Sequence, residues 1–447
     1  MLAIHTIGGY NEVGKNMTAL EVDDDVIIFD AGLYLPAIVG VAEQEKVPTE
    51  RGMRALEALP DDLYLDRLDL RRKVIALVVS HAHLDHVGGV QYVAHRYNAP
   101  VAATPFTIQV LKTLIEDNSH QPFKNKLLPI KPNGFFMAKG KKRSYKIEFI
   151  NMTHSTIEST MIAVHTPYGV VLYANDYKFD NTPVFGDPPN YRRLKELAKE
   201  GIKALIVDCL YAPDDRKTPS EKIARGLLED VFFTTDNRKA GIVVTTFSSH
   251  IARLKTISEF GRRLNREVIF LGRSLNKYVG AAAAVGKAPF RSQIHMLAYR
   301  KQIDRTLKRV AKEKEKYVIV CTGHQGEPGS ILDRISRQEL HYPLASNDHI
   351  IFSSKTIPSP INELNRSQLE KRLRKHKVRI FDNVHVSGHG GREDLRDLLK
   401  LTDPEHVIPS HGDYPKLKAG LDLAVEMGYK KDVNVHITTN GKRLNLP

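Results

Sequence analysis

In the stretch "VVSHAHLDHVGG", residues 78 to 89, three histidines and one aspartate fall within positions 81 to 86, behind an apolar run and ahead of two glycines. His81 and His83 are two apart and point the same way while the backbone stays extended. Asp85 and His86 follow at the turn into "VGGVQYVAHRY", which reads as helical. Imidazole and carboxylate are ligands of zinc, which takes three or four and keeps a position open when catalytic. A cluster this dense can divide its side chains between two ions roughly 3.5 to 4 Å apart that share a carboxylate. The bland alternative, a coincidence of satisfied histidines, is disfavoured by the cost of burying hydrated polar groups behind an apolar strand.

The further ligands have to come from elsewhere, and several apolar strand-like runs end in a suitable residue. "VIIFDAG" ends near Asp30, "KIEFINMTHS" at His154, "VVLYANDY" at Asp176, "ALIVDC" at Asp208, "RIFDNVHVSGHGG" at His385 and His389, and "HVIPSHGD" at His411. Polar groups released at strand ends converge on one edge of a sheet. His5, His95, His120, His341 and His436 stand alone and read as ordinary surface or core histidines.

Between Asp208 and His385 lie roughly 175 residues with none of these ligands and a rhythm of their own. "AGIVVTTFSSH", "EVIFLGRS", "KYVIVCTG" and "HIIFSSKTIP" read as strands, with "IARLKTISEFGRRL", "KYVGAAAAVG" and "INELNRSQLEKRLRKH" as helices. Such alternation predicts a doubly wound α/β domain. Because the ligand set resumes after it, this domain is an insertion, with expected limits 209–383, and the host domain comprises 1–208 and 384–447.

The chain has 447 residues, 42% of them hydrophobic, enough for more than one domain. Its formal charge is +14 and its pI near 9.4, which favours a polyanionic partner such as nucleic acid over a merely solvated basic surface. The basic loop "KGKKRSYK" is either a hairpin turn with solvated lysines or a phosphate-tracking surface. Cys209 and Cys321 sit in apolar runs and read as reduced core residues. With no signal-like N-terminus and no long apolar run, the expected setting is the cytoplasm, with no membrane.

The motif "SHAHLDHVGG", with Asp30, His154 and Asp176 following in order, resembles the metallo-β-lactamase superfamily. The insertion together with Asp208, His389 and His411 resembles its β-CASP nucleases, and "IGGYNEVGKNM", "TFSSHIAR", "TGHQGEPGS", "FSSKTIP" and "HVSGHGGREDL" resemble the ribonuclease J group. The resemblance spans nearly the whole chain and implies an αββα sandwich carrying an inserted doubly wound β-CASP domain.

It implies one zinc on His81, His83, His154 and Asp176, and a second on Asp85, His86, His411 and the shared Asp176, with manganese an acceptable substitute. Asp30 would act from behind the ligands, Asp208 and His389 would form the acid pair, and His385 would either contact the scissile phosphate or merely pack. RNA-binding candidates are Ser248, Ser249, His250, Arg253, Arg273, His324, Gln325, Ser354, Ser387, Gly388 and Gly390, on loops at strand ends where doubly wound sheets bind ligands. His324 departs from the serine usual in the group.

The chain ends 36 residues after His411. It is therefore expected to lack the C-terminal domain of bacterial members, as in an archaeal-type enzyme, which leaves a homodimer open. The implied activity is a zinc-dependent 5′→3′ exoribonuclease on single-stranded RNA with a 5′ monophosphate, with endonucleolytic cuts as an added activity. The rivals are a β-CASP DNA nuclease, a small-molecule metallohydrolase, and an RNA-binding protein without catalysis.

Overall fold

The computed structural model describes residues 1–38, 49–118, 123–357 and 359–447. Among these, 1–38, 49–218 and 388–447 form one compact unit and 219–387 a second. Both crossings fall later than the breaks expected from sequence. Residues 209–218 stay with the first unit because Tyr211 bridges Gly391 and Thr218 donates to the Asp394 carboxylate and the His389 carbonyl, each at 2.7 Å.

The first unit is built on two sheets. In one, the strands Asp25–Phe29, Val74–Val78, Val101–Ala103 and Leu127–Pro129 run parallel. In the other, Gly169–Ala174, Ile202–Asp208 and His406–Ser410 run parallel. Ile4, Leu20, Ile27 and Val78 of the first sheet share a buried cluster with Phe149, Val171, Ile206 and Ile408 of the second. On the far face of the second sheet, the helices Tyr191–Glu200, Arg392–Thr402 and Tyr414–Glu426 bury Leu194, Leu398 and Leu417. The helix Pro105–Asp117 lies against the first sheet, which makes the layers αββα. Parallel strands send their carboxyl ends to a common edge, and Asp30, His81, Asp176, Asp208 and His411 all lie at such ends.

The second unit holds six parallel strands in the order Ile294–Leu297, Glu267–Leu271, Tyr317–Cys321, Ile242–Thr245, His349–Phe352 and Arg379–Phe381. The unit is doubly wound: from Ile242–Thr245 the chain passes to Glu267–Leu271 and Ile294–Leu297 on one side, returns to insert Tyr317–Cys321 between, and continues to His349–Phe352 and Arg379–Phe381 on the other. The edge strand Ile294–Leu297 and the helix Arg300–Val310 were not foreseen. Only Ile294 is buried in that strand, so no apolar run announces it.

The stretch "VGGVQYVAHRY" is helical in short pieces: Leu84–Val87 runs into it, and Val90–Val93 and the 3-10 turn Ala94–Arg96 follow. At the break, a Cβ on Gly89 would lie 2.8 Å from the Ala31 carbonyl, so close backbone approach replaces helical continuity. The basic loop 139–146 is a hairpin whose Lys142 and Arg143 face Asp24 and Asp23, at 3.0 and 3.8 Å. Part of its charge is met within the fold. Cys209 and Cys321 are buried free thiols. Among the described residues no helix is long and apolar enough to cross a membrane.

Candidate metal centre

Asp30 at φ 57°, Asp176 at φ 58° and His411 at φ 56° are among the residues of the first unit that leave their strands with left-handed backbone. That conformation is uncommon for residues with side chains and clusters at functional sites. It turns each side chain sharply out of its strand.

The structure brings His81, His83, His154 and Asp176 together, and beside them Asp85, His86, Asp176 and His411. Within each set the candidate ligand atoms lie within 4.8 Å of one another. Asp176 belongs to both. Its Oδ2 is 3.3 Å from His81 Nε2, 3.2 Å from His86 Nε2 and 3.4 Å from His154 Nε2. Its Oδ1 is buried without a hydrogen-bond partner and lies 3.7 Å from His411 Nε2. Lone pairs of imidazole and carboxylate facing each other this closely suit a cation between them, so the donor set fits metal.

The ring nitrogens turned away from the nests are held. His86 Nδ1 is 2.7 Å from Asp30 Oδ2, His154 Nδ1 donates to the Gly388 carbonyl at 2.7 Å, and His81 Nδ1 is 3.0 Å from Ser80 Oγ. Asp30 is fully buried and also accepts from Ser80 N–H, Ser80 Oγ and Tyr173 Oη at 2.8 to 2.9 Å. It therefore orients His86 from behind the ligands and has no face for substrate. Such partners fix tautomer and ring direction in metal sites.

Burial first, and neighbouring histidines second, hold His83 and His154 well below the usual imidazole range. The neutral ring is the form that binds metal. Burial opposes a charge on His86, but Asp176, Asp85 and Asp30 together hold it well above its usual value. Burial would likewise raise Asp176, yet His86, His411 and His389 keep it well below the ordinary carboxylate range.

His389 stands next to the nests, its Nδ1 2.7 Å from Asp208 Oδ2 and its Nε2 3.9 Å from Asp176 Oδ2. Burial lowers its basicity, but the carboxylates of Asp176 and Asp208 outweigh that and push its pKa up to about 9. A nearby bound cation would move it back down. Asp176, Asp208, His389 and His411 also qualify as a donor set, but this set shares Asp176 and His411 with the other two. It therefore cannot be filled alongside them.

The RNA-binding candidates divide. Arg253 is fully buried and gives its guanidinium to both Glu221 oxygens at 2.5 and 2.7 Å and to Ser353, so the phosphate role read from sequence is corrected to a structural one. His250 caps the helix Ile251–Arg263 and faces Glu221 at 3.4 Å, Gln325 braces Lys355 and Ile357, and Gly390 N–H donates to Tyr177. These three are likewise spent inside their own units. Ser354 Oγ and His324 Nδ1 are buried with no hydrogen-bond partner, Ser248 pairs with Ser274 at 2.9 Å, and Arg273 is exposed. Phe247 contacts both His324 and His385, with ring centroids 4.3 and 6.3 Å away. Ser249 and Ser387 lie in the second unit and Gly388 in the first.

Of the solitary histidines, His5 pairs with Glu21, His95 with Glu50, His341 with Asp304 and His436 with His406. His120 lies outside the described residues. Sequence reasoning gave no role to Asn16, Ser80 or Tyr173. The crowded loop "IGGYNEVGKNM" was the available signal for the first.

Comparison with known families matches residues 10–194 to the metallo-beta-lactamase superfamily, 239–369 to the ribonuclease J beta-CASP domain and 375–437 to the Zn-dependent metallo-hydrolase RNA specificity domain. Fold and site together define a metal-dependent hydrolase of the metallo-β-lactamase fold with a β-CASP insertion. Ribonuclease J of Methanocaldococcus jannaschii is 40% identical over 448 residues, covering 100% of this chain and 99% of that one. Ribonuclease J of Pyrococcus abyssi is 40% identical over 449 residues, covering 100% and 98%. The chain belongs to the ribonuclease J family. A crystal structure of a protein of unknown function from Enterococcus faecalis V583 shares the fold, with TM-score 0.66 over 99% of both chains at 15% identity.

Proposed function

We propose that this metal-dependent ribonuclease degrades single-stranded RNA from its 5′ end, starting best from a 5′ monophosphate and cutting internal linkages as a secondary activity. The observation that carries the reading is the pair of four-donor nests sharing Asp176, with the His389–Asp208 pair beside them.

We assign one divalent cation to His81, His83, His154 and Asp176 and a second to Asp85, His86, His411 and Asp176. Zinc suits the donors, and manganese can replace it. When bound, such cations offset the charge of a phosphodiester and bring the pKa of an attacking water toward ~7. Asp208 holds His389 through Nδ1, which leaves Nε2 to carry the proton given to the departing 3′ oxygen. Asp30 keeps His86 turned into its nest.

In the second unit, Ser248, Ser249, Ser354, His324, Arg273 and Ser387 are the candidates for seating the terminal phosphate. Unpartnered buried donors such as Ser354 Oγ and His324 Nδ1 support a closed pocket. His385, in contact with Phe247, is kept as a candidate for the adjoining phosphate. A closed pocket admits a monophosphate and rejects the bulk and charge of a triphosphate. We assign the work to the cytoplasm, where thiols such as Cys209 and Cys321 stay reduced, and to a monomer or a homodimer.

Matched RNA and DNA strands carrying 5′ monophosphate or triphosphate test the reading. The enzyme should consume 5′-monophosphorylated RNA fastest, slow on the triphosphate, leave DNA largely intact and stop in chelator. Equal use of DNA would sink the ribonuclease assignment, and equal use of both 5′ ends would sink the phosphate pocket.

A further inference from the structure

We infer that Asn16 is a positioning residue for the second nest, its side-chain oxygen holding His411 in the tautomer that turns Nε2 toward Asp85 and Asp176. The inference rests on the two-cation reading above.

Asn16 is 1% exposed and sits where the N-terminal loop meets the ligands. Its Nδ2 donates to the Asp85 carbonyl at 3.1 Å and lies 3.0 Å from His86 Nε2. A carbonyl can only accept, so the amide cannot be turned over without setting two oxygens against each other. That fixes Oδ1 on the other side, 2.9 Å from His411 Nδ1. An amide oxygen likewise only accepts, so His411 Nδ1 carries a proton, and in the neutral ring Nε2 is the nitrogen with the lone pair. His411 Nε2 is the atom that looks into the nest, 3.9 Å from Asp85 Oδ2 and 3.7 Å from Asp176 Oδ1.

The loop is shaped around this amide. Gly9 has φ +88°, and a Cβ there would come within 2.3 Å of Asn16 Oδ1. The Gly9 carbonyl accepts from His411 N–H at 2.7 Å, so the same loop grips the backbone and the ring of His411. A Cβ on Gly32 would fall 1.6 Å from the Asp85 carbonyl that orients the amide. The Asn16 N–H also donates to Asp85 O at 3.0 Å, and Asn16 O accepts from Gly32 N–H at 3.0 Å. One asparagine thus links Asp85 in the histidine motif to His411, far along the chain.

An alternative role is purely structural, with the amide serving only to tie the loop to Asp85. Two near-isosteric variants separate the roles. Asn16→Leu removes acceptor and donor; Asn16→Asp keeps an acceptor for His411 Nδ1–H but, when ionised, sets an oxygen against the Asp85 carbonyl, so it breaks the tie to Asp85 while keeping the grip on His411. The unmodified protein and both variants, checked for folding by circular dichroism and melting temperature, are stripped and titrated with zinc against a chromogenic chelator. The unmodified protein should take two equivalents. Asn16→Asp should keep both, whereas Asn16→Leu should keep the first and bind the second roughly 10- to 100-fold more weakly, the usual cost of losing a partner behind a metal ligand.

Two tight equivalents in Asn16→Leu overturn the role alone. A folded Asn16→Asp that loses the second cation overturns it too, in favour of the structural tie, and this arm stands even where Asn16→Leu fails to fold. One equivalent in the unmodified protein overturns the two-cation reading, and the role of Asn16 with it.

Discussion

At the nests, single side chains serve more than one partner. His389 is held at Nδ1 by Asp208 and presents Nε2, and Asp176 offers an oxygen to either nest. If His389 gives the departing 3′ oxygen its proton, His389→Gln should keep its metal and its RNA affinity and lose turnover by roughly 10² to 10⁴. RNA with sulfur at the bridging 3′ position has a leaving group that needs no proton, so the variant's loss should nearly vanish on it. An equal loss on oxygen and sulfur linkages would make His389 something other than the acid. Metal content separates the nests: Asp176→Ala should release both cations and His411→Ala mainly one, as read by elemental analysis. Side chains whose types do chemistry are legible in sequence because "HAHLDH" concentrates donors that burial would otherwise penalise. Arg253 was misread for the converse reason. Its charge is visible in the sequence, but the Glu221 that neutralises it comes from another helix, 32 positions away.

Elements set where those side chains go. Strand ends at Asp30, Asp176 and His411 take left-handed backbone, which a pattern of apolar runs cannot reveal even when it locates the strands. The helix Ile251–Arg263 is tied to the helix Glu221–Phe233 by the buried Arg253–Glu221 pair. Glu221→Gln leaves that guanidinium buried with half its partners and should cost about 3 to 5 kcal/mol, measured by denaturant unfolding. A change under about 1 kcal/mol would mean that Arg253 finds water or another partner.

The strand His349–Phe352 begins with a histidine 1% exposed and edge-on to Phe381 at 5.1 Å. Burial first, then Arg379 and Arg266, lowers its pKa to about 4. The unfolded imidazole, near 6.5, takes up its proton first. Stability is therefore fully present above about pH 6.5 and declines as pH falls toward 4, by on the order of 3 kcal/mol. His349→Leu should flatten that part of the stability curve, and parallel curves for the two proteins between about pH 7 and about pH 4.5 would contradict it. The edge strand Ile294–Leu297 escaped sequence reasoning because three of its four residues are not buried and no apolar alternation marks them.

For the whole molecule, a formal charge of +14 acts on a polyanion in proportion to the phosphates contacted. Binding of single-stranded RNA should weaken with a log-log salt slope of about −0.7 per contacted phosphate. A flat response would assign the charge to solubility. Asp23 and Asp24 face the basic hairpin at 139–146 and offset part of its share of that charge. Composition thus told of a polyanionic partner but not of which basic loops are free to meet it.

Polarity is the property that binds nests, acid and phosphate pocket into one account. The most direct measurement is the first product released from single-stranded RNA labelled at its 5′ monophosphate. A labelled mononucleotide appearing from the earliest times is the predicted result, whereas a ladder of progressively shorter 5′-labelled fragments would mean digestion from the 3′ end and contradict it.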